Sequence, residues 1–169
     1  MKSTILKYGS FGLLAGAVIF LASILFGKGL SYSTQEALGY LSMVACLSFV
    51  FFGIKHYRDH QNNGALSLGK ALAIGLLISV LVGVGVAIAD YIYTKVINPN
   101  FSTEYLENSI QILEQSFSGD ELEAKKTELT QQMEAYGGSG FMAALMLVTV
   151  ILIGLIISLI SGLILQRKK

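Results

Sequence analysis

Two histidines and an acid are the first residues in this chain whose spacing could do chemistry. His56, Asp59 and His60 stand in "FFGIKHYRDHQNNG" (residues 51–64) at H-x-x-D-H spacing. On a helix the imidazoles lie four apart on one face, as in zinc peptidases of the H-x-x-E-H kind. A catalytic zinc takes three protein ligands and leaves one position open. On that side of the chain there is no further His or Cys, and no carboxylate besides Asp59 and the C-terminus. A third ligand would have to come from another protomer. A plainer chemistry explains more of the stretch. Lys55 and Arg58 can reach lipid phosphates where a helix leaves a bilayer, with Tyr57 as an interfacial aromatic. "NNG" at 62–64 is a turn. Ser67 is placed to cap the next helix, and Asp59 to accept hydrogen bonds near its N-terminus, where negative charge is favoured. The stretch reads as a membrane exit and hairpin clamp, with no catalytic residue, metal or cofactor assigned.

Asp90 is the second candidate, the only acid inside a long apolar run. An intramembrane carboxylate is a functional suspect by default. It lies seven residues after Gly83 and three after Ala87, on a stripe of small residues, which predicts that it faces protein. Counting from Ala71, about 20 residues bring it to the far interface, where Tyr91, Tyr93 and Lys95 form an expected aromatic and basic belt. A structural role and a proton- or substrate-coupling role both remain open on these residues.

The elements that must position these groups follow from composition. The 169 residues are 53% hydrophobic and 14% charged, with mean hydropathy +0.64. The charge is missing in blocks. Residues 8–27, 37–54, 71–97 and 141–165 are nearly free of it, and each is long enough to cross a bilayer core as a helix. Strands that cross are shorter and alternate in polarity, which these runs do not. The first run is longer than a signal-peptide core and is read as a retained helix. The net charge of +1 offers no basic field for nucleic acid. Cys46 is the lone cysteine and sits within the second run as a small apolar residue.

Eight Lys and Arg (Lys2, Lys7, Lys55, Arg58, Lys70, Arg167, Lys168, Lys169) fall on one side of these crossings. Four (Lys28, Lys95, Lys125, Lys126) fall on the other. The positive-inside rule then puts both termini in the cytoplasm. Small residues recur every four positions at Gly12 and Gly16, at Gly75, Ser79, Gly83 and Ala87, and at Gly154, Ser158 and Gly162. Such stripes let helix backbones approach closely and predict the seams of a bundle.

Between the third and fourth crossings the chain turns acidic. Residues 98–140 carry eight acids against two lysines, a net charge of −6. Pro99 ends or redirects the third helix, and Ser102 looks like a cap. Leu106, Ile110, Leu113 and Phe117 form one helical face, and Leu122, Leu129, Met133 and Tyr136 a second. Ser118 and Glu121 have capping-box spacing, and "YGGSG" at 136–140 returns the chain to the membrane. The fold predicted is all-α: a four-transmembrane-helix bundle, one integral membrane domain over residues 1–169. An extracytoplasmic amphipathic helical hairpin over residues 102–136 sits between helices 3 and 4.

"GIKHYRD" at 53–59, Gly64, "LSLGKAL" at 66–72 and "INPNF" at 97–101 follow one another in an order that resembles a bacterial membrane family. That family is catalogued as domain of unknown function 4199, and the resemblance extends over nearly the whole chain. It implies a four-helix bacterial inner-membrane protein, with no established activity. Gly53, Tyr57, Arg58, Asp59, Gly64, Ser67 and Gly69 match its signature positions, and His60 is not one of them.

Three function classes follow. The first is a structural or accessory subunit whose partners are the bilayer and either a second protomer or another envelope membrane protein. Its contact surface would be the acidic hairpin, through Leu113 and Leu129. The second is a small oligomeric transporter with Asp90 as its coupling acid, although no acid lies at mid-depth and no internal repeat shows. The third, an enzyme, is set aside: the hairpin side has no His, Cys or Arg, and both His lie opposite.

Overall fold

In the computed structural model, which describes residues 1–167, six helices run in order with no strand among the described residues. They are α1 (Lys2–Gly27), α2 (Tyr32–His56), α3 (Leu68–Ile92), α4 (Phe101–Ser116), α5 (Gly119–Tyr136) and α6 (Ser139–Leu165). Single π-helical turns, Tyr57–Gln61 and Tyr93–Ile97, extend α2 and α3. α1, α2, α3 and α6 with their extensions are long and apolar enough to cross a membrane. The four predicted crossings coincide with them, and the two polar helices occupy the span predicted between the third and fourth.

α3 is the centre of the bundle. Half of its most apolar window is buried by neighbouring helices, against 22% for α1 and α6. Lipid tails are as apolar as leucine, so burial alone does not hold such helices together; close packing does. The packing is visible residue by residue. Gly75 lies against Ser158, and Gly154 against Ser79, in two reciprocal small-residue pairs of α3 and α6. A Cβ added at Gly75 would stand 2.6 Å from that of Ser158. Each serine hydroxyl donates to the carbonyl four residues back in its own helix, Ser79 to Gly75 at 2.8 Å and Ser158 to Gly154 at 2.6 Å. Neither polar group is left open to lipid. Gly162 packs over Ala71, so α3 and α6 run antiparallel in constant register.

On its other side α3 meets α1 in parallel. Gly12 packs on Val82, Gly16 on the Val82 carbonyl, and Gly85 on the backbone of Leu13. α2 closes the bundle with Met43, Cys46, Leu47, Val50 and Ile54 buried at steps of three and four. Its link to α1 includes a Ser23–Ser42 hydrogen bond of 3.3 Å.

Candidate functional site

At one end of the bundle the 55–70 connection gathers both described ends of the chain. The π turn at Tyr57–Gln61 adds a residue per turn and rotates the face that follows it. Tyr57, the first residue of that turn, lies three past buried Ile54 and seven past buried Val50, so it continues the buried face of α2 into the core instead of standing at the lipid surface as expected of an interfacial aromatic. His56 and His60 do share a face, but their rings stack, with centroids 4.5 Å apart and 18° between planes. Tyr8 of α1 extends the column, 5.4 Å from His56. Among the described residues no three of His, Cys, Asp and Glu gather as a metal-ligating group.

Ser67 caps α3 as its position predicts, accepting from the Lys70 amide at 3.4 Å. Asp59 has its ion-pair contact with the Arg58 guanidinium at 2.6 Å. Arg58 in turn donates to the Leu165 carbonyl at 3.5 Å, a long bond onto the C-terminal end of α6. The clamp thus runs from α2 through Arg58 to α6, and the cap of α3 belongs to Ser67. The turn itself needs left-handed backbone at Asn63 (φ 50°) and Gly64 (φ 78°). The Gly64 amide closes it onto the Arg58 carbonyl at 2.8 Å. Asparagine and glycine are the residues that adopt this conformation most readily.

Two ties and one buried polar group here were not read from sequence. The N-terminal ammonium donates to Gln61 at 2.7 Å. Leu66 and Arg167 exchange backbone hydrogen bonds of 3.0 and 3.1 Å as a single antiparallel bridge. Thr4 is buried with its hydroxyl unpartnered. Of these only a polar residue on an apolar helix face, Thr4, left any signal in the sequence.

At the other end stand Asp90 and the polar helices. Asp90 is 5% exposed, and its Oδ2 has no hydrogen-bond partner. It continues the Gly75–Ser79–Gly83 face, and the register of α3 on α6 carries that face toward Ala143, itself buried. Thr94 does not serve the carboxylate; its hydroxyl donates to the Asp90 main-chain carbonyl at 2.9 Å. Tyr93, expected in an interfacial belt, is buried, edge-on to Phe101 at 5.7 Å. Tyr91 does face outward.

α4 and α5 pack on each other in antiparallel fashion. Lys126 reaches Glu114 at 2.8 Å near the tip, and Ser102 donates to the Gly137 carbonyl at 2.5 Å near the base. Ser102 is therefore not the cap of α4; that position is Asn100, and the Ser102 hydroxyl ties the two legs together. Ser118 is the N-cap of α5, but its side chain makes no capping bond. The two predicted stripes are half-buried between the helices, Leu113 and Leu129 included, except Tyr136, which is 55% exposed. No residue of either helix is fully buried. The pair meets the bundle at its base, through the Tyr93–Phe101 and Tyr136–Phe141 ring contacts. Both lysines are engaged within the pair: Lys126 with Glu114 and Glu123, and Lys125 with Glu121 and over the Phe117 ring. The glutamate beside it holds the Lys126 ammonium above the ordinary lysine range.

Comparison with known proteins adds one finding. A family model described as "Protein of unknown function (DUF4199)" matches residues 7–167. No curated protein and no solved structure matches. The chain belongs to the DUF4199 family.

Proposed function

We propose that this family member is a structural or accessory subunit of the bacterial inner membrane. In this reading both termini are cytoplasmic, and the α4–α5 pair stands outside as the contact surface for an envelope partner. It acts without catalysis and without binding nucleic acid. The observation that carries the reading is the pair itself. Two helices of 16 and 18 residues stand on the bundle with none of their residues buried. Helices this short are marginal in water without further packing. The bundle rim does not supply that packing, because contact is confined to the base. Both lysines of the pair are used internally, so the outward charge is acidic and repels anionic headgroups. Ile112, 52% exposed on α4, is an apolar residue left outside the stripe. A protein surface is the partner that covers such a face. Labelling tests the orientation: in a Cys46→Ala background, Ser118→Cys should react with an impermeant thiol reagent from outside the cell. Reaction only after the cytoplasmic side is opened would reverse the topology.

A second reading rests on Asp90. A buried carboxylate with an unpartnered oxygen suits a proton-coupled transporter, with Asp90 as the coupling acid. Proton movement in proteoliposomes, lost in Asp90→Asn, would favour it over the accessory role. Absence of proton movement with the unmodified chain removes it.

A further inference from the structure

α1 and α3 touch closely only along part of their length. Their last glycine contact is Gly16 against Val82 and Val86. From there toward Gly27 a cleft opens between the two helices. The opening is an apolar cleft of about 500 Å³ walled by Ala17, Leu21 and Phe26 on α1 and by Ile88, Ala89 and Ile92 on α3. Nine residues of helix make it about 14 Å long. Ala17 and Ala89 make its floor low, while Phe26, 88% exposed, stands beside it as a free wall.

The cleft opens toward the end of the bundle that carries α4 and α5, and a cation stands there. Lys28 follows Phe26 by two residues, and its ammonium lies 6.0 Å from the ring centre of Tyr93, the residue after Ile92. Among the described residues no carboxylate pairs with Lys28. Lys95, also exposed, lies one turn past Ile92 on α3. The acids of the polar helices begin only at Glu104, beyond Asn98 and Pro99, and Glu104 is engaged by Asn98 at 2.8 Å. Asp90 does not line the cleft.

We propose that this cleft is a binding site for one anionic phospholipid of that leaflet, its acyl chain in the cleft and its phosphate on Lys28. An apolar slot with, two residues past its wall, an ammonium that no carboxylate pairs has the layout of such a lipid. A phospholipid whose headgroup carries no net charge gains less from Lys28, so the site discriminates by charge as well as by shape.

The chain has no tryptophan, which makes the test direct. Phe26→Trp places a single fluorophore on the wall, at a side chain exposed enough to tolerate the change. The full chain is reconstituted in phosphatidylcholine vesicles with a small, equal fraction of brominated phosphatidylglycerol or brominated phosphatidylcholine. Leu152→Trp, on the exposed face of α6, serves as the control position. The expected result is several-fold stronger quenching by the anionic lipid at the cleft, no preference at the control, and loss of the preference when Lys28→Gln is added. Equal quenching by both lipids at the cleft means ordinary annular lipid and overturns the proposal. So does a preference that survives Lys28→Gln, or a fluorophore that neither lipid reaches. Should Phe26→Trp fail to fold, Leu25→Trp reads the same cleft.

Discussion

α3 and α5 are helices of 25 and 18 residues, yet α3 buries eleven residues and α5 none. The difference lies in what their faces permit. α3 presents Gly75, Ser79 and Gly83 to α6 and Gly85 to α1, so two backbones close on it from opposite sides. α5 carries Asp120, Glu121, Glu123, Glu128 and Glu134 around a single half-buried stripe, packs along α4, and touches α6 only through Tyr136 at its base. Steric fit holds the first region, and a few polar ties hold the second. A change in the first should therefore remove the fold, and a change in the second should alter what the fold touches.

The largest effect is expected at Gly85. A side chain there would run into the Leu13 backbone, whose Cα lies 3.0 Å from the position of a new Cβ. Backbone cannot swing aside as a side chain can. Gly85→Leu should cost about 3 kcal/mol or more through overpacking, read as loss of folded protein on unfolding the purified chain in detergent. Gly69→Leu, at a glycine with open space around it, should leave folding almost unchanged.

Leu113→Glu with Leu129→Glu comes next. Both leucines are half-buried between α4 and α5, so the charges should open the pair while the four long helices keep their unfolding transition. Hydrogen exchange checks this: amides of residues 101–136 should lose protection and those of α3 should not. Arg58→Ala should have a smaller effect, freeing the end of α6 and lowering the midpoint of thermal unfolding by a few degrees; His60→Ala should be nearly silent.

The smallest effect is a pH dependence confined to the polar pair. The Lys126 pKa is raised above 10.5 in the fold by its hydrogen bond with Glu114. A group whose folded pKa is raised stabilises fully below its unfolded pKa and loses that contribution as pH rises through the folded value. The tie between α4 and α5 should therefore hold across neutral pH and weaken only above the ordinary lysine range. A distance label across the two helices should report this, and Lys126→Met should abolish the dependence.

What was legible in the sequence follows the same division. A bilayer imposes its thickness on any chain that crosses it, so charge-free runs marked all four long helices, though α1 and α2 begin six and five residues before their runs. The small-residue stripes marked the α3–α6 seam because only small residues let the two backbones close on each other. Gly85 escaped because it faces away from that stripe, and which neighbour lies there is a matter of tertiary arrangement. Asn100 and Ser102 are both capping residue types two positions apart, and spacing alone does not choose between them. Tyr57 and Tyr93 were expected outside and lie inside, because each extends the buried face of its helix (Val50–Ile54–Tyr57 and Val86–Ala89–Tyr93) past the point where the sequence suggested an interface. In the 55–70 connection the Ser67 cap was readable, but the pairing of Arg58 and Asp59 was not. Arg58 reaches a carbonyl 107 residues away, which only the closed bundle brings near.

The central claim is that the polar pair is a contact surface, and a photo-crosslinker at Gln115 tests it most directly. Gln115 is exposed on α4 three residues past Ile112. In native membranes the account predicts one dominant adduct of defined mass with an envelope protein. Ile112→Glu should remove that adduct at unchanged protein level, while a crosslinker at Leu152 on the lipid face should never form it. No discrete adduct at Gln115, or one that persists at full strength in Ile112→Glu, would contradict the claim.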